Sequence, residues 1–222
     1  METMELSPRY SRGEELANSI THGIGVVFAI CAMAILAVFA SRYGDAWHIV
    51  SCSIFGAALI LLYVASTLYH AVQRPKAKSV LRILDHSAIL VLIAGTYTPF
   101  TLVNLRGPWG WSLFGIIWGL AVCGIAIETT RLRRYRAGLI ALYVVMGWAV
   151  VAAVKPMLEH VEHGGLWLLL AGGLAYTGGV VFYLWRRLPF NHAIWHLFVL
   201  AGSVLHFFAI LFHVIPVFTA AG

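Results

Sequence analysis

Two imidazoles stand four residues apart in Asn191-His192-Ala193-Ile194-Trp195-His196. That spacing puts both on one side of a helix. It is the spacing of paired helical zinc ligands, although Ala193 stands where H-E-x-x-H metalloproteases carry their glutamate. Interfacial histidines bonded to water or lipid head groups meet the same spacing. If a metal is held, a third ligand and a base must come from elsewhere, and His70 and Asp85 are the candidates. Ser66 and His70 form a second four-apart pair in Ser66-Thr67-Leu68-Tyr69-His70. The Ser66 hydroxyl can donate to water or to a substrate oxygen, or it can bond back to a carbonyl one turn earlier. Asp85 either caps the start of a helix, helped by Arg82, or takes a proton from a metal-activated water. It is the carboxylate expected at this depth, because Glu128 falls at the end of another apolar segment beside an arginine cluster.

The elements that must position these residues cross a membrane. Hydrophobic residues make up 61% of the 222 and charged residues 11%, whereas a soluble domain is about a quarter charged. Too few charges remain to coat a water-facing surface. A spanning helix needs about 20 mostly apolar residues, and seven segments qualify: 20–40, 49–70, 84–104, 110–128, 138–155, 165–185 and 193–215. Their unbroken apolar character favours helices over barrel strands, which would alternate. The expected fold is therefore an all-α membrane protein of seven transmembrane helices. Its parts are an N-terminal segment 1–17, a membrane domain 18–217 and a short tail 218–222.

Basic residues concentrate between alternate spans. Arg9 and Arg12 precede the first; Arg74, Lys76, Lys78 and Arg82 follow the second. Arg131, Arg133, Arg134 and Arg136 follow the fourth, and Arg186 and Arg187 the sixth. The other connections hold Arg42, Arg106 and Lys155. Cytoplasmic loops retain Lys and Arg, so the N-terminus is expected inside and the C-terminus outside. The same distribution accounts for the net charge of +6 without nucleic acid. Glu2, Glu5, Glu14 and Glu15 argue against the first span being a cleaved signal peptide, so it is expected to stay as an uncleaved helix. Cys31, Cys52 and Cys123 lie alone in separate apolar segments and indicate no disulfide framework.

Parity then sorts the ten histidines. His48, His160, His163 and His213 fall on or near the outside, and His206 lies deeper along the last span. His22, His70, His86, His192 and His196 all fall at the inner ends of their helices, alongside Asn18, Thr21, Ser66 and Asp85. Ionisable groups at membrane depth are costly and point to function. Glu159, His160, Glu162 and His163 read more simply as a polar outer loop. The eight tryptophans suit an interfacial belt.

These residues form blocks that resemble a known family. The blocks are Glu15-x-x-Asn18-x-x-Thr21-His22-Gly23, Ser66-Thr67-Leu68-Tyr69-His70, Leu84-Asp85-His86-Ser87, Gly95-Thr96-Tyr97-Thr98-Pro99-Phe100, the Asn191–His196 block and Ser203-Val204-Leu205-His206-Phe207. In that order they are similar to bacterial haemolysin III-type members of the progestin and adipoQ receptor family. The resemblance implies seven spans with the N-terminus inside. It also implies zinc near the cytoplasmic face, held by His70, His192 and His196. Asp85 and Ser66 match supporting positions of related membrane hydrolases such as alkaline ceramidases, and Asn18 and His22 belong to the surrounding polar cluster. It further implies a bacterial inner membrane location.

Three histidines and a water would make an open, catalytic type of zinc site. The expected activity is zinc-dependent hydrolysis of an amide- or ester-linked lipid from the cytoplasmic leaflet. The alternatives are a non-enzymatic sensor or regulator of lipid composition and membrane energetics with a structural zinc, and a haemolysin-like pore former. A short N-terminal segment and short outer loops offer little surface to a protein hormone, so membrane lipid is the expected partner.

Overall fold

A computed structural model describes residues 10–216. The described residues contain no strand. Seven helical stretches among them are long and apolar enough to cross a membrane. The chain runs through α1 (Arg12–Tyr43), α2 (Ala46–Ala71), α3 (Pro75–Pro99) with a π-helical turn Phe100–Asn104, and α4 (Pro108–Thr129). A 3-10 turn at Arg131–Arg134 leads to α5 (Arg136–Trp148), a second 3-10 turn Ala149–Ala153 and α6 (Val154–His160). Two long helices, α7 (His163–Leu184) and α8 (Asn191–His213), complete it. The stretch from α5 to α6 forms the fifth span, Arg136–His160.

Two helix starts lie earlier than hydropathy suggests, and one changes the reading of a site residue. α1 begins at Arg12, where Ser11 Oγ accepts from the Glu14 N–H at 3.2 Å and Glu14 Oε2 accepts from the Ser11 N–H at 2.8 Å. This reciprocal cap satisfies two otherwise orphaned donors. Residues 12–17, expected in the leading segment, are thus the first turns of α1. Residues 1–9 and the 218–222 tail lie outside the described residues. α3 begins at Pro75, whose fixed φ and missing N–H suit the first helical position. Asp85 therefore sits inside α3 and does not cap it.

α2 and α8 are the central helices, with 56% and 50% of their apolar windows buried, against 17% for the fifth span and for α7. α1 packs against both α2 and α8, α3 against α2, α4 against α3, and α7 against α8. Large apolar side chains at the periphery, among them Val27, Ile116, Val122 and Val181, stay exposed. In lipid that exposure costs nothing. Gly25 lets α1 approach closely, because a Cβ there would collide with the Tyr63 ring. Tyr63 in turn donates to Ser203 Oγ at 2.8 Å, and Tyr176 OH lies 3.0 Å from the same oxygen. This buried knot ties α2, α7 and α8 together beneath the histidine cluster.

Candidate metal centre

His70, His192 and His196 come together between α2 and α8, with one ring nitrogen from each within 4.8 Å of the others. All three are buried. His192 and His196 reach the site from one face of α8, as their spacing requires, and their ring centroids are 4.5 Å apart. The His70 ring lies 5.0 Å from that of His192 and 5.2 Å from that of His196.

The outer nitrogens are held so that the inner ones face the cluster. His70 Nδ1–H donates to Glu15 Oε2 at 2.6 Å, and Lys78 Nζ donates to Glu15 Oε1 at 2.7 Å. His196 Nδ1 lies 3.2 Å from the Asn18 carbonyl and 3.1 Å from Thr21 Oγ1. The Thr21 hydroxyl donates to the Ala17 carbonyl at 2.9 Å, which leaves its oxygen to accept from His196. In both rings Nε2 is then the bare lone pair. Neither Nε2 has a hydrogen-bond partner among the described residues. Two buried lone pairs without donors are costly, and a cation would satisfy both. Metal-binding histidines generally give their other N–H to a carboxylate or carbonyl, as these do. The donor set therefore fits a metal ion that favours imidazole.

Local backbone features aim these side chains. Phe190, just before α8, adopts a left-handed conformation (φ 56°, ψ 19°). For a bulky residue this is an outlier. The turn is held from two sides. The Phe190 N–H donates to Glu14 Oε1 at 3.2 Å, and Asn191 Nδ2 donates to the Phe182 carbonyl at 3.0 Å. The start of α8, and with it His192, is thereby fixed against α1 and α7.

The other sequence-derived residues take distinct places. Asp85 is 4% exposed and lies within electrostatic reach of His70 and His86, with Ser66 as the neighbouring hydroxyl. Ser66 is buried, with its hydroxyl beside the Asp85 carboxyl. The back-bond to a carbonyl one turn earlier is made by Thr67, to Tyr63 at 2.7 Å. The Asn18 side chain lies 3.5 Å from His70 Nδ1. His22 stacks on His196 with centroids 3.4 Å apart, and neither of its ring nitrogens has a hydrogen-bond partner among the described residues. It is not one of the three clustered donors. His86 turns away from the cluster, its Nδ1 lying 3.2 Å from Glu128 Oε1. Asp85 is not the lone carboxylate at this depth, since Glu15 touches His70 directly and Glu128 is 3% exposed. Tyr10 also covers the site, its ring 5.1 Å from His192. At the opposite end His213 Nδ1 pairs with Glu162 Oε2 at 2.8 Å and His48 with Asp45 at 2.7 Å.

Fold and site together define a seven-span helical membrane protein with a buried three-histidine group between its second and last spans. The sequence places it further. The family model for haemolysin-III related proteins matches residues 10–207. Hemolysin-3 of Bacillus cereus is 51% identical over 203 residues, covering 91% of this chain and 93% of its own length. A Hemolysin-3 homolog of Bacillus subtilis (strain 168) is 49% identical, covering 92% and 96%. The human monocyte to macrophage differentiation factor is 31% identical, covering 89% and 83%. The chain belongs to the haemolysin III-type proteins of the progestin and adipoQ receptor family.

Proposed function

We propose that this chain is a zinc-dependent hydrolase of an amide- or ester-linked membrane lipid. It would sit in the bacterial inner membrane with its arginine-rich, histidine-bearing end in the cytoplasmic leaflet. The observation that carries the reading is the buried His70, His192 and His196 group with Asp85 and Ser66 beside it. Three imidazoles leave a fourth position open, as catalytic zinc sites do. Zinc, when bound there, supplies Lewis acidity to a carbonyl or to water.

The chain's own residues do the rest. Glu15 and the Asn18 carbonyl hold His70 and His196 with their Nε2 atoms inward. Asp85 accepts a proton from the attacking water and returns it to the leaving nitrogen or oxygen. The Ser66 hydroxyl, buried beside Asp85, donates to the oxyanion that develops at the carbonyl. Beside the cluster a largely apolar cavity runs between α3, α5, α7 and α8, lined by His22, Ile89, Tyr143, Val180 and Trp195 among others. It is suited to hydrocarbon and would keep bulk water from the reaction. The connections between spans are short, so lipid is a better-supported partner than a protein hormone.

The competing reading is a regulator in which zinc only joins α2 to α8, and the near-complete burial of His70 and His196 favours it. Purified Asp85→Asn protein assayed against extracted bacterial lipid separates the two. The hydrolase reading expects zinc content to be retained and turnover to fall by roughly 100-fold or more. Unchanged turnover in Asp85→Asn removes Asp85 from the chemistry. No product from any lipid with wild-type, zinc-loaded protein leaves the structural role.

A further inference from the structure

Five arginines wall one cavity at the end of the bundle that carries the histidine cluster. Arg82 of α3, Arg131, Arg133 and Arg134 of the connecting turn, and Arg136 of α5 surround a space of about 410 Å³ with His86 and Glu128. Retention of positive charge on one side of a membrane requires basic residues near span ends. It does not require that five of them line a single concavity. Among the described residues none of these guanidinium groups pairs with a carboxylate. Arg134 spends its Nη2 on the Tyr135 hydroxyl at 2.9 Å. The one carboxylate present is engaged inward, because Glu128 Oε1 faces His86 Nδ1 at 3.2 Å and Tyr143 OH at 3.4 Å. The cavity is therefore strongly cationic, with five guanidinium groups around a single carboxylate that is engaged inward.

What lies behind it says which anion. His86, Glu128 and Arg136 also line a narrow neck that continues to Asp85 and His192, past Ile89, Val180 and Trp195. Ile89, Tyr143, Val180 and Trp195 in turn line the apolar cavity between α3, α5, α7 and α8. The cationic cup, the space beside Asp85 and His192, and the apolar cavity thus adjoin one another through shared lining residues. That sequence of surfaces matches an amphiphile whose anionic head and hydrocarbon are separated by a linkage. Planar guanidinium forks pair in bidentate fashion with phosphate oxygens, and basic pockets between membrane helices take phosphate-bearing head groups.

We infer that the arginine-walled cavity binds the phosphate of an anionic lipid head group and holds that lipid with its apolar part directed past the histidine cluster. That the lipid is also the substrate rests on the hydrolase reading; the binding does not. The test uses full-length protein in phosphatidylcholine nanodiscs. Binding of dioctanoyl phosphatidylglycerol is compared with that of dioctanoyl phosphatidylcholine, and inorganic phosphate serves as competitor. Phosphatidylglycerol is expected to bind roughly tenfold more tightly than phosphatidylcholine, and Arg133→Gln/Arg136→Gln to abolish that preference. Arg131→Gln/Arg133→Gln, confined to the connecting turn, provides a second pair whose folding is checked by thermal unfolding. Arg74→Gln/Lys76→Gln removes the same charge from the same end outside the cavity and is expected to leave binding within about twofold. Equal loss in that control, or no preference for phosphatidylglycerol, overturns the inference. Displacement by inorganic phosphate at concentrations equal to the lipid's overturns it in favour of a soluble anion. Head-group binding without hydrolysis of any lipid retires the hydrolase reading alone, and hydrolysis indifferent to head-group charge retires this inference alone.

Discussion

The imidazole of His70 is held from outside the cluster: its Nδ1 meets Glu15 at 2.6 Å while Lys78 secures the other carboxylate oxygen at 2.7 Å. The carboxylate fixes the tautomer and leaves the Nε2 lone pair facing the cluster. Replacing it with an amide removes the charge and leaves an ambiguous donor or acceptor against the ring. Glu15→Gln is expected to weaken zinc binding by roughly 10–100-fold, read by competition with a chelator. Affinity equal to wild type would show that the contact does not tune the ligand. At this scale the shared face of His192 and His196 was legible from spacing and His70 was a candidate third partner by depth, while the set of three as ligands came from the family blocks. The role of Glu15 was not, although Glu15, Asn18 and His22 recur at the spacing of one helix face. A carboxylate's partner depends on how α1 lies against α2, and no pattern within α1 contains that. Asp85 was legible as a carboxylate at the depth of the histidines, but its alternative role as a cap depended on a helix start that hydropathy misplaced.

Between helices, the contacts that set the site's dimensions are small. Gly25 admits the Tyr63 ring, Tyr63 reaches Ser203, and His22 packs edge-on against Tyr63 at 5.0 Å. Gly25→Val would push α1 off α2 and carry Glu15 and Asn18 away from His70 and His196. Overpacking of this kind costs about 1–3 kcal/mol. The expected outcome is a lowered unfolding temperature together with weakened zinc binding; normal values of both would show that α1 has slack there. Helix ends were the least legible feature, for physical reasons. The first turns of α1 carry Arg12, Glu14 and Glu15, which lower hydropathy, yet the Ser11–Glu14 cap starts the helix there. In the fifth span, hydropathy reads an unbroken run, whereas the helix passes through a 3-10 turn at Ala149–Ala153. Pro156 follows closely; it lacks an N–H for the carbonyl four residues back and its ring crowds that carbonyl.

For the molecule as a whole, seven crossings and a polar end were legible because lipid leaves so little freedom. Continuous apolar runs must be helices that satisfy their own backbone bonds, and parity then brings alternate helix ends to a common depth. The convergence of α1, α2, α3 and α8 at the histidine-bearing end follows from that depth, but which side chains meet there depends on packing. The basic clusters at the same end give the orientation its expected sense. A fluorescent protein fused to the N-terminus is expected to fluoresce in cells, and alkaline phosphatase fused to the C-terminus to be active, since the first needs the cytoplasm and the second the outside. The reverse pair of signals would place the arginine cavity and the histidine cluster in the outer leaflet and remove a cytoplasmic-leaflet lipid from consideration.

The most direct test of the central claim is the zinc content of purified protein after growth with zinc, measured beside single substitutions. The account expects roughly one zinc per chain in the wild type, as three clustered imidazoles require. That zinc should be lost in His70→Ala, His192→Ala and His196→Ala alike. It should be retained in His22→Phe, whose aromatic ring preserves the stack on His196 without offering a donor. Wild-type protein that stays metal-free when zinc is supplied, or zinc that survives all three alanine substitutions, would contradict it.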